Sequence, residues 1–165
     1  MLSVAGERGG TRAFDALQRL ALASKDSLEQ RQFLAALAMT EDPALAQRAL
    51  DLALSPQIQH SAGMSMIRTV AQRHPDLAWR FALAHKAEID ARSDPSQKLS
   101  FIPRILRMAT DASLADQLHA FALTSFPSGG RTEADKVEAR VRQRADVRTR
   151  QLPKLDAWLE ANANG

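Results

Sequence analysis

The chain has no cysteine and no tyrosine, and its 165 residues include only six phenylalanines and two tryptophans. Without thiols there are no disulfides, no cysteine nucleophile and no thiolate zinc site, although the compartment stays open, because exported proteins also occur without cysteine. Seven glycines and seven prolines fall mostly between apolar runs, and alanine and leucine dominate those runs, so composition favours helix over strand. No run approaches the roughly 20 apolar residues that span a bilayer, and the best apolar face, Phe33 to Met39, is cut by Glu41 and Asp42. Met1 to Gly6 has no basic lead and too short an apolar stretch for a signal peptide, and it reads as the tail of a longer helix. At 45% apolar content the remainder can bury one continuous core.

A phrase recurs along the chain. Asp42-Pro43-Ala44-Leu45-Ala46, His74-Pro75-Asp76-Leu77-Ala78 and Asp111-Ala112-Ser113-Leu114-Ala115 start 32 and 37 residues apart. Each couples a candidate N-cap to Pro or Ala at the first helical position, where a missing N–H costs nothing, and then opens an apolar periodic run. The run before each phrase is amphipathic too. The repeating unit is therefore a helix, a short turn and a second helix, which predicts an all-α fold of the α-solenoid type, a HEAT- or armadillo-like superhelix of antiparallel helix pairs.

In detail, a leading helix carries Phe14, Leu17, Leu20 and Ala21. Asp26 caps the next helix, with Glu29 reaching back as a capping box, and that helix holds Leu28, Phe33, Leu34 and Leu37. Its partner runs from Pro43 to Leu54 and stops before Pro56. A second pair covers about Ala62 to Arg73 and Pro75 to Ala91, with Leu77, Trp79, Phe81 and Leu83 inward. The third begins near Leu99, where Ser100 as cap leaves Pro103 in the first turn, and runs to Met108, followed by Leu114 to Leu123. The fourth joins the helix from Thr132 to a last one through Leu155, Trp158 and Leu159, with Pro153 as the break or the new start. Both tryptophans follow helical spacing among apolar neighbours and are expected in the core.

Charge concentrates between Arg131 and Arg150, where seven cations face four carboxylates, an excess equal to the +3 of the whole chain. A nucleic-acid adaptor using this stripe is one reading, but the helix has no aromatic for base stacking, which disfavours it against a solvated helix laced by i,i+4 pairs. His60, His74, His85 and His119 contain no pair in the H-E-x-x-H arrangement of a helical zinc site, and surface or turn roles suit them. There is no G-x-S-x-G elbow, and Gly129-Gly130 lacks the Lys-Ser/Thr of a phosphate loop. No catalytic, cofactor or metal residue is expected in this chain.

Three stretches, Gly10-Thr11-Arg12-Ala13-Phe14-Asp15-Ala16-Leu17, Gln32-Phe33-Leu34-Ala35-Ala36-Leu37-Ala38 and Asp42 to Leu54, together resemble the C-terminal helical domain of gluzincin zinc aminopeptidases. This group includes aminopeptidase N and the puromycin-sensitive and endoplasmic-reticulum enzymes. Pro75-Asp76-Leu77-Ala78-Trp79-Arg80-Phe81 and the closing Gln151 to Leu159, ending in Trp-Leu, are similar to that family's packing motifs. The family's H-E-x-x-H and Gly-Ala-Met-Glu-Asn motifs are missing here. The resemblance implies that residues 1–165 form one helical-repeat domain, a fragment whose catalytic domain lies upstream in the same polypeptide and holds the zinc. It implies a non-catalytic part that covers the active-site cavity and gates or positions peptide substrates. Arg104 and Arg107, in the third pair, are the candidates for meeting a peptide carboxylate, with a plain solvated role as the alternative. An uncovered edge at Leu2, Val4 and Phe14 would favour self-association. The rival reading is a free-standing repeat scaffold that binds a partner protein.

Overall fold

A computed structural model describes residues 9–162, and among them every regular element is helical. In chain order the α-helices are α1 (Gly10–Ala23), α2 (Ser27–Ala38), α3 (Pro43–Ala53), α4 (His60–Arg73), α5 (Pro75–Ala84), α6 (Lys86–Arg92), α7 (Phe101–Ile105), α8 (Ala112–Ser125), α9 (Thr132–Asp146) and α10 (Leu152–Asn162). A 3-10 turn, Leu106–Met108, closes α7, and a π-helical turn, Val147–Gln151, joins α9 to α10. None is long and apolar enough to cross a membrane.

The caps explain the starts. Asp42 accepts hydrogen bonds from the amides of Ala44 (2.8 Å) and Leu45 (3.3 Å), and Pro43 takes the first helical position. Asp111 accepts from Ser113 N at 2.9 Å. Those two copies of the phrase behave as their sequence predicts, and His74 does not. Its side chain leaves the α5 amides alone, and its ring Nε2 lies 2.9 Å from the carbonyl oxygen of buried Thr40, so the second copy fastens α5 to the end of α2 instead. Asp26 caps α2 through Leu28 N and Glu29 N, at 2.8 and 2.9 Å. Glu29 does not reach the Asp26 amide directly; the Ser24 hydroxyl sits between, donating to Glu29 at 2.6 Å and accepting from Asp26 N at 3.2 Å.

Three helices depart from the expected course. The helix expected from Pro75 to Ala91 turns at His85 (φ −108°, ψ 23°). Redirected, α6 buries Ile89 completely and delivers Arg92 to the carbonyls of Ala53 and Leu54, the otherwise open end of α3. The Ser100 hydroxyl donates to Gln97 O rather than capping α7, which lasts five residues and holds Pro103 as its third, where no intrahelical N–H is required. Finally, α10 does not fold back to complete a fourth pair. Asp146, Val147 and Leu152 all keep right-handed helical dihedrals, so the chain runs on in the line of α9, and Trp158, expected in the core, is 60% exposed.

Packing forms two layers. One contains α1, α3, α5 and α8, and the other places α2, α4, α7 and α9 side by side, with α2 on α4, α4 on α7 and α7 on α9. Between them lies one core that includes Leu34, Leu50, Ile67, Trp79, Ile102 and Leu118, each no more than 2% exposed. The Trp79 indole donates to Gln117 Oε1 at 3.0 Å and meets Phe121 edge to face, 5.5 Å between centroids. Aromatic geometry of this kind adds about 1 kcal/mol to the burial itself. Phe14, expected on an open edge, is buried, with the Arg48 guanidinium 4.6 Å from its ring centroid; Leu2 and Val4 lie outside the described residues. Leu20, Leu28, Leu83, Met108 and Leu123 sit on the flanks of their stripes and are exposed rather than inward.

Candidate functional site

The second layer carries the feature with the most chemistry. Leu34 and Met66 are buried in the core, while Arg31 and Arg68 on the same two helices are exposed. A cavity of about 380 Å³ lies between these helices and is lined by Arg31, Ala35, Ser61, Ser65, Arg68 and Thr69 among others. A second, of about 460 Å³, continues from Arg68 along α4, α7 and α9, and its lining includes Gln72, Arg104, Arg107, Met108 and Arg144. Arg68 lines both, so they adjoin at its side chain as a groove across α2, α4, α7 and α9, and a third cavity, lined by His60, Arg92 and Asp94 among others, reaches the same arginine. The linings of the first two hold five arginines and no aspartate or glutamate.

The arginines differ in how they are held. Arg104 Nε donates to Glu133 Oε1 at 2.7 Å, across from α7 to α9. That hydrogen bond raises the Arg104 pKa and holds the Glu133 carboxyl below the usual glutamate range, Lys136 and Arg140 adding to the second effect. Arg144 donates to the Arg107 carbonyl oxygen, fixing the end of the 3-10 turn and restraining the Arg144 side chain within the wall. Arg68 lies over the Phe101 ring at 6.0 Å from its centroid. The side chains of Arg31, Arg68 and Arg107 have no acidic partner among the described residues. Guanidinium groups without counter-charges favour an anionic occupant, since the planar fork matches a carboxylate in two-point geometry.

Both sequence candidates, Arg104 and Arg107, therefore lie in the groove, Arg104 already engaged and Arg107 open. Arg31, Arg68 and Arg144 were missed by motif reasoning. A signal for them exists: Arg31, Arg68 and Arg104 are 37 and 36 residues apart, close to the spacing of the recurring phrase. The histidines stand elsewhere. His119 Nδ1 lies 2.9 Å from Glu138 Oε2, and His85 is tilted against the Phe81 ring, 4.4 Å between centroids. Among the described residues no group of three or more His, Cys, Asp or Glu is placed to hold a metal ion.

No curated protein matches the chain. Residues 1–145 match the ERAP1-like C-terminal domain, a family of aminopeptidase domains, and the match includes the phrases at 42, 74 and 111 as well as all five groove arginines. By that match over most of its length, the chain belongs to the ERAP1-like C-terminal domain family.

Proposed function

We propose that this chain serves as the non-catalytic C-terminal domain of a zinc-dependent aminopeptidase. Its two helical layers curl as an α-solenoid over the cavity of an upstream catalytic domain in the same polypeptide, which holds the zinc and carries out hydrolysis. The arginine groove receives the far end of a peptide whose N-terminus is being cleaved, with Arg107 and Arg68 offering donors to its carboxylate. The observation that supports this reading is the groove itself: five guanidinium groups in its walls, of which only Arg104 is paired with a carboxylate, that of Glu133. Binding energy gathered so far from the scissile bond helps to position long substrates and does nothing for single-residue ones.

The test is kinetic. In the intact enzyme carrying this domain, replacing Arg104 and Arg107 together by alanine should raise KM for long peptides severalfold. A single-residue amide substrate should be cleaved as before. Unchanged KM and kcat on long peptides would overturn the assignment.

A further inference from the structure

We infer that the groove selects extended peptides bearing an acidic side chain at every third residue. This rests on reading the groove as a peptide site, and it goes further by naming what the site prefers. Arg31, Arg68 and Arg104 stand on α2, α4 and α7, three consecutive helices of one layer, and Arg144 stands on the fourth. Helices packed side by side are about 9 Å apart, which sets the component of each arginine-to-arginine step across the layer at about that distance. A polyproline II segment rises about 3.1 Å per residue with three residues per turn, so its positions i, i+3 and i+6 lie on one face, about 9.3 Å apart. The two periods coincide. A β-strand does not fit, because its positions i and i+3 face opposite ways. Each acidic side chain of such a peptide would meet one guanidinium, and the nearest carboxylate, Glu133, is held by Arg104 Nε, which leaves that arginine's terminal nitrogens to the peptide. A nucleic acid is the poorer occupant, since no aromatic side chain lines the groove for bases to stack on.

The experiment measures fluorescence anisotropy with the 165-residue chain. The first probe is an acetylated, amidated decapeptide reading Glu-Ala-Pro three times and then Glu. The second is an isomer of the same composition with its four glutamates contiguous. Capping both ends removes the terminal carboxylate as a recognition element. The spaced peptide should bind about tenfold more tightly than the isomer, a difference of about 1.4 kcal/mol. Arg68→Gln, which alters an exposed side chain shared by both parts of the groove, should reduce that advantage to about twofold or less, with the circular-dichroism melt unchanged. Equal affinity for the two peptides would overturn the inference, as would tighter binding of a single-stranded oligonucleotide. A neutral decapeptide with glutamine for glutamate and a free C-terminus separates the two levels. If it binds and the capped acidic peptides do not, the spacing inference falls and the gating role stands; if nothing binds, both fall.

Discussion

Gly63 in α4 meets the backbone of α3 so closely that an ideal Cβ there would lie 2.1 Å from the Ala53 carbonyl oxygen and 3.1 Å from its carbon. Carbon–oxygen contacts settle near ~3.3 Å, so Gly63→Ala must move α4 away from α3 by about 1 Å. On propensity alone the substitution should stabilise, since alanine is better than glycine in a helix interior by about 1 kcal/mol. Against that gain stands overpacking against a rigid backbone, typically about 1–3 kcal/mol. The same carbonyl accepts from Arg92, which also binds Leu54 O, and loosening these charged hydrogen bonds costs on the order of another 1 kcal/mol. The net expectation is a loss of about 1–3 kcal/mol, which for a chain of this size lowers the melting temperature by about 3–10 °C. Thermal and urea unfolding followed by circular dichroism measure it. Gly129→Ala is the control, because nothing lies within 4 Å of a Cβ at that position. If Gly63→Ala melts at or above the parent temperature, the close approach of α3 and α4 is wrong. The placement of Arg68 relative to Arg31 would then be wrong with it.

Two further outcomes can be checked on the same chain. Asp42→Ala removes the side-chain acceptor of two α3 amides and should cost about 1 kcal/mol in urea unfolding, while Asp42→Asn, which keeps an acceptor, should recover most of it. Glu133→Gln should weaken the link between α7 and α9 by up to about 1 kcal/mol at neutral pH, since the pair is partly exposed. The Glu133 pKa is depressed in the folded state, so its contribution is fully present above the unfolded glutamate value of about 4.3 and is lost as pH falls through the lower folded value. Parent and variant should thus differ near neutrality and converge in acid. A gap that stays constant through the acid range would contradict the ion pair.

Much of the architecture was legible because it is written in short-range chemistry. Asp42-Pro43 and Asp111-Ala112 start helices through caps that depend on two or three residues, and those starts are where the sequence places them. The turn at His85 was not legible, since no glycine or proline marks it; what it achieves is to bring Arg92 to the Leu54 carbonyl, 38 residues away. Trp79 and Trp158 have equally apolar neighbours in sequence, and only the outward run of α10 separates the buried one from the exposed one. Of the groove, Arg104 and Arg107 were readable as candidates and the rest were not. A single arginine on the polar face of an amphipathic helix looks like any solvated side chain until neighbouring helices bring others beside it.

Charge teaches the same lesson in reverse. The most basic stretch of sequence, Arg131 to Arg150, is largely neutralised where it stands. Arg142 pairs with Asp116 at 2.8 Å and Glu138 at 3.0 Å, Arg150 with Asp146 at 3.2 Å, and Arg148 Nη1 donates to the Thr110 hydroxyl at 2.9 Å. The hydrogen bonds that Arg142 donates to Asp116 and Glu138 raise its pKa, the signature of a cation already provided with its anions. Such a helix has little charge left for phosphates. The groove arginines come from four helices and the 3-10 turn after α7, only Arg144 of them from the basic stretch, and no acidic residue is in the lining of the two cavities. A field that can draw in an anion depends on uncompensated charge converging in space, not on its density along the chain. For this protein that distinction moves the candidate binding surface from the α9 stripe to the row of arginines crossing α2, α4, α7 and α9.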